Sequence, residues 1–113
     1  LLSRQVGYSK ALEIATSGEK IFGDECLKLG LTNKIVETNN ILSQAQKWAS
    51  KLAEKPTLAI GITKQDIFYS MNNDLKKTIA FEAERQILAF GSHDLKEGVS
   101  AFVEKRKPNF LGK

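Results

Sequence analysis

The chain has 113 residues, with 17 Lys and Arg against 13 Asp and Glu, a formal net charge of +4, 42% hydrophobic residues, two prolines, one cysteine and one histidine. That composition excludes a disordered or collagen-like chain, and Cys26 and His93 alone cannot build a disulfide framework or a zinc cluster within one chain. The length suits a single domain with one core; bases and acids are interleaved and no apolar run reaches the ~20 residues of a membrane span, so neither nucleic acid nor a membrane is an expected partner.

The single cysteine fits a reducing, intracellular compartment. The numbering opens on Leu1-Leu2-Ser3-Arg4, and the only methionine is Met71. The chain therefore reads as a piece of something larger or as a processed chain.

Apolar residues at Ala11, Leu12, Ile14 and Ala15 predict a helix over Gln5 to Ser17, closed by Gly18. Lys20-Ile21-Phe22 reads as an extended connector. Asp24 is placed to cap a short helix from Glu25 to Leu29 that stops at Gly30. Ile35-Val36, β-branched and apolar, reads as another brief extended stretch.

From Asn39 or Asn40 an amphipathic pattern begins, with Ile41, Ala45, Trp48 and Leu52 on one face and Lys47, Lys51 and Lys55 on the wet side. Pro56 breaks it by disfavouring helical geometry at Lys55, and suits the first turn of the next helix, predicted from Thr57 to Met71. Asn72-Asn73-Asp74 is a turn, with Asp74 as the N-cap of a helix in which Leu75, Ile79, Ala83, Ile87 and Phe90 recur at helical spacing. Gly91-Ser92 ends it. A last helix from about Asp94 to Lys105 carries Leu95, Val99, Phe102 and Val103 on one face, with Asp94 and Glu97 in capping-box spacing and Pro108 beyond its end. The expectation is an all-α chain.

Motifs of chemistry are scarce. Ser92-His93-Asp94 holds the letters of a hydrolase triad, but triad members converge from separate chain positions, so these three read as a turn and cap. Gly18 to Gly23 has phosphate-loop spacing, yet Asp24-Glu25 stand where Lys-Ser/Thr must follow. Glu82, Glu84 and Glu97 read as solvated or ion-paired rather than as acid and base. Cys26 has no basic neighbour to lower its pKa and reads as a packing residue; Trp48 and Phe81 read as core or interface.

Three blocks in register are similar to the C-terminal region of the enoyl-CoA hydratase/isomerase (crotonase) family. Leu2-Ser-Arg-Gln-Val-Gly7 resembles the family's R-L-x-R-x-V-G. Ser17 to Val36, SGEKIFGDECLKLGLTNKIV, resembles T-G-x-x-I-x-A-x-E-A-x-x-L-G-L-V-N-x-V-V. Gly91 to Pro108, GSHDLKEGVSAFVEKRKP, resembles the closing S-x-D-x-x-E-G-V-x-A-F-x-E-K-R-x-P. Gly23, Cys26 and Thr32 depart from the pattern as packing changes.

The resemblance implies a fold class: an all-α, C-terminal helical domain of a crotonase (ClpP/crotonase-like) fold over residues 1–113, whose ββα core is absent. It implies an enzyme acting on 2-enoyl-CoA thioesters, with coenzyme A carried by the substrate and no other cofactor. The family's oxyanion hole and catalytic glutamates would lie upstream, so no catalytic or metal-binding residue is expected in this chain. Phe102 and Lys105 are the implied CoA contacts, against the plain alternative that Phe102 is core and Lys105 solvated. A homotrimer or hexamer is implied, in the cytoplasm or, in a eukaryote, the mitochondrial matrix. The alternative from another class is a stand-alone helical protein-interaction module with a basic surface. Apolar helix faces left open in the fold would speak for a missing core or partner.

Overall fold

A computed structural model describes all residues from Leu1 to Lys113. Seven α-helices follow in order: α1 (Leu2–Val6), α2 (Tyr8–Ser17), α3 (Gly23–Lys28), α4 (Ile41–Ala53), α5 (Thr57–Ser70), α6 (Leu75–Phe90) and α7 (His93–Val103), with a 3-10 turn over Thr38–Asn40 before α4. There is no β-strand, as the helical periodicities predict. None of the helices is long and apolar enough to cross a membrane.

The chain divides into two compact units, Leu1–Gln44 and Ala45–Lys113. In the first, the helix predicted over Gln5 to Ser17 is instead two helices, because Gly7 leaves helical geometry at φ 80°. Gly18 closes α2 in the left-handed region, as expected. Asp24 is not a cap: Phe22 precedes α3, and Asp24 and Glu25 lie in its first turn, where carboxylates favour the positive end of the helix dipole. Glu25 also receives Lys10 Nζ at 3.0 Å. The stretches at Lys20–Phe22 and Ile35–Val36 are irregular and pair with nothing, so their β-branched residues never become strands. Cys26 is half-buried with its Sγ 3.8 Å from the Ile21 carbonyl, a packing position.

In the second unit α5 and α6 form an antiparallel hairpin across the Asn72-Asn73-Asp74 turn. Asp74 caps α6 as predicted, accepting from the Lys77 amide at 2.9 Å. Tyr69 of α5 stacks on Phe81 of α6, with centroids 4.0 Å apart and planes 5° from parallel, and the Arg85 guanidinium lies 5.5 Å from the Phe81 centroid. Aromatic and cation–π contacts thus hold the turn end of the hairpin, and Ile62 is buried toward its other end.

Buried residues are few: Ala11, Ile62, Ala101 and Asp94. The apolar stripe predicted on α6 is real, but it faces away from α5; Leu75, Ile79, Ile87 and Phe90 are all exposed, while Thr78, Phe81, Arg85 and Ala89 take the half-buried face. Trp48 on α4 is likewise 48% exposed, which fits an interface role rather than a core one.

Candidate functional site

The last helix and the tail behind it make up the candidate site. Ser92, not Asp94, is the N-cap of α7; its hydroxyl accepts from the Leu95 amide at 3.1 Å. The helix begins at His93, two residues earlier in its capping register than the Asp94/Glu97 spacing suggests. That frees both carboxylates for the tail.

Asp94, 2% exposed, accepts from the amides of Leu111 at 2.7 Å and Gly112 at 2.8 Å, and its own amide donates to the Lys113 carbonyl at 3.0 Å. Burial alone would raise this carboxyl, but the two amides and the His93 ring 3.5 Å away outweigh it and hold it below its ordinary range. One turn on, Glu97 grips Arg106 through both oxygens, at 2.6 Å to Nη1 and 2.8 Å to Nη2, and accepts from the Asn109 amide at 2.7 Å. Arg106 foremost, then Asn109, hold Glu97 at about 2. The acids of the D-x-x-E-G block are therefore a strap for the tail and not an acid/base pair. Gly112 closes the strap at φ 75°, where an added Cβ would stand 2.5 Å from Thr57 Oγ1.

Helix α7 ends in a Schellman turn: the Arg106 amide donates to the Ala101 carbonyl at 3.0 Å and the Lys105 amide to Phe102 at 3.3 Å. The left-handed position of that turn belongs to Lys105, the only non-glycine residue with positive φ, at 55°. A side chain there costs about 1–2 kcal/mol relative to right-handed geometry.

The two residues implied as CoA contacts fall at this turn. Phe102 is 85% exposed, more than any other aromatic side chain that stands out of the fold, so it is not part of a core formed within this chain. The face it shares with Leu95 and Val99 points outward, and Ala101, 1% exposed, anchors the helix instead. Of the three consecutive cations, Arg106 is committed to Glu97 and Glu104 and Lys107 to Glu54 at 2.8 Å, whereas Lys105 forms no ion pair. Of this basic run one ammonium, Lys105, is left without an ion pair, three residues after the open ring of Phe102.

Phe102 also borders an apolar groove of about 350 Å³ between the start of α5 and α7, lined by Pro56, Leu58, Leu95, Val99 and Phe110. Its size is that of a ligand pocket, and its polar lining residues, Ser92 and Asp94, already accept backbone amides of α7 and the tail. No group of three or more His, Cys, Asp or Glu side chains is gathered to hold a metal. The remaining carboxylates considered from the sequence, Glu82 and Glu84, are exposed on α6. The strap was missed at the sequence level; its only signal was an acid pair three residues apart followed by an arginine, a pattern that surface helices share.

Comparison with known proteins bears on the whole chain. The model of the enoyl-CoA hydratase/isomerase family matches residues 1–113. A probable mitochondrial enoyl-CoA hydratase of Dictyostelium discoideum is 38% identical over 112 residues, covering 99% of this chain and 40% of that protein. A crotonyl-CoA hydratase of Syntrophomonas wolfei is 35% identical, covering 99% and 43%. A crystal structure of an enoyl-CoA hydratase from Geobacillus kaustophilus superposes with a TM-score of 0.94 at 39% identity, over 99% of this chain and 42% of that one. The chain spans about two fifths of the length of these relatives.

Proposed function

This chain belongs to the enoyl-CoA hydratase/isomerase family, and on that premise we propose that it completes the coenzyme A pocket of an enzyme acting on 2-enoyl-CoA thioesters. The observation that carries the reading is that the turn closing α7 holds both the most open aromatic ring, Phe102, and the one cation of the closing cluster without an ion pair, Lys105. An aromatic face covers adenine, and a lysine is a point charge suited to phosphate.

Hydration of an enoyl thioester builds negative charge on the thioester oxygen as an enolate forms. Backbone donors of an oxyanion hole stabilise that charge, and two glutamates move the protons. In this reading those groups belong to the family's ββα core, and this chain supplies none of them. What its own residues supply is grip on the nucleotide end of the substrate, remote from the reacting carbons. Such binding energy holds the acyl end in register for chemistry carried out elsewhere.

The open stripe of α6 and the uncovered face of α4 support a second role, packing against the core and against neighbouring copies in a homotrimer or hexamer. No cofactor beyond the substrate's own coenzyme A enters the scheme. The family match over residues 1–113 supports this reading over the stand-alone interaction module.

Two measurements test the proposal. Lys105→Ala in the full-length enzyme is expected to raise KM for crotonyl-CoA about tenfold with a smaller change in kcat; an unchanged KM counts against the contact. The isolated 113-residue chain is expected to leave crotonyl-CoA untouched, and hydration above the buffer rate sinks the non-catalytic assignment.

A further inference from the structure

We infer that Glu97 and Arg106 are positioning residues for Lys105, a step that rests on the reading of Phe102 and Lys105 as coenzyme A contacts. Lys105 holds a left-handed backbone that a lysine does not favour, and its own side chain makes no hydrogen bond or ion pair to keep it there. The residue that follows is instead fixed from two sides. Arg106 donates Nη1 and Nη2 to Glu97 and Nε to Glu104 at 2.6 Å, while its amide closes the turn on Ala101.

Glu97 lies on α7 itself, nine residues earlier, with its side chain 15% exposed and a further hydrogen bond from the Asn109 amide. The bidentate pair therefore ties the residue after Lys105 back to the same helix that carries Phe102. With Arg106 tied, the Cα of Lys105 cannot unwind into the tail. A long, flexible ammonium gains from this, because the freedom it must lose on meeting a phosphate is already reduced at its root. Arginine suits the task through its planar fork, which a lysine in its place could not reproduce.

The test uses the full-length enzyme with crotonyl-CoA and with crotonyl-pantetheine, which lacks the nucleotide. The readout is the ratio of kcat/KM for the two thioesters. Glu97→Gln, and Arg106→Lys as a variant that keeps the charge but loses the fork, are each expected to lower that ratio about tenfold, as Lys105→Ala does. Combined with Lys105→Ala, Glu97→Gln is expected to lower it no further, since both act through one ammonium. Lys105→Gly in the Glu97→Gln background is expected to recover melting temperature, by relieving the left-handed strain, without recovering the ratio.

If Lys105→Ala lowers the ratio and the Glu97 and Arg106 variants do not, the positioning role falls while the coenzyme A contact stands. If the Glu97→Gln and Lys105→Ala effects multiply, Glu97 acts by another route and the inference is overturned. If Lys105→Ala leaves the ratio unchanged, the contact itself is wrong and the inference goes with it.

Discussion

Asp94 and Glu97 stand three residues apart on α7 and each accepts backbone amides from the tail, so the carboxylates of the closing motif fasten the chain to itself. Asp94→Asn keeps the shape but gives one amide hydrogen no acceptor. It is expected to lower the melting temperature by several degrees and to speed hydrogen exchange at Leu111 and Gly112, both measurable by NMR. Acid should act the same way. Glu97 is held at about 2 against an ordinary 4.5, so its contribution is complete above pH 4.5 and is lost as pH falls toward 2. Asp94, also held low, loses its contribution in the acid range in the same direction. The charged groups facing this pair are Arg106 and His93, and Arg106 stays protonated throughout. A pH titration of tail amide shifts is expected to show release of Asn109 centred near pH 2, with that step absent in Glu97→Gln.

At the scale of elements, α5 and α6 explain why strong periodicity need not mean a buried face. Helix α5 carries apolar residues all round, with Ile62 buried and Ile60, Ile67 and Phe68 exposed, the pattern of a helix surrounded on several sides. Helix α6 turns its half-buried aromatic and cationic face, Phe81 and Arg85, to α5 and leaves its isoleucines open. Ile62→Ala is expected to cost about 2–5 kcal/mol in urea denaturation wherever the hairpin is folded. Ile79→Ala, by contrast, is expected to cost under about 0.5 kcal/mol in the isolated chain. In the full-length enzyme the proposed covering of the stripe predicts a cost of about 2 kcal/mol or a shift in oligomeric state. Equal small costs in both would show the stripe is never buried.

For the whole molecule, the chain leaves 9183 Å² accessible, where a folded monomer of its mass leaves about 6,200 Å². The open leucines, isoleucines and aromatics named above account for the character of that extra surface. A chain with so little of its own core should bind a hydrophobic dye such as ANS and unfold with a shallow denaturant slope unless its partners are present. A steep, dye-free transition of the isolated chain would show that the surface is stable in water.

Helix positions were legible because caps, prolines and apolar spacing act within a few residues. Asp74, Pro56, Gly18 and the ends of α5 and α6 follow from such local rules, and the three motif blocks were enough to identify the family. Gly7's break, and the choice of Ser92 over Asp94 within the expected turn and cap, escaped because competing local signals, a continuous apolar pattern and an acid pair, were equally good on paper. What only the tertiary structure decided is which apolar face is covered and which charge is spent. Phe102 shares its helical face with Leu95 and Val99, and nothing in that spacing says that Ala101 would take the buried place. Lys105, Arg106 and Lys107 are equivalent as a run of cations until folding brings Glu97, Glu104 and Glu54 to two of them and leaves the third free, because ion pairing depends on where the acids arrive in space and not on the order of the chain.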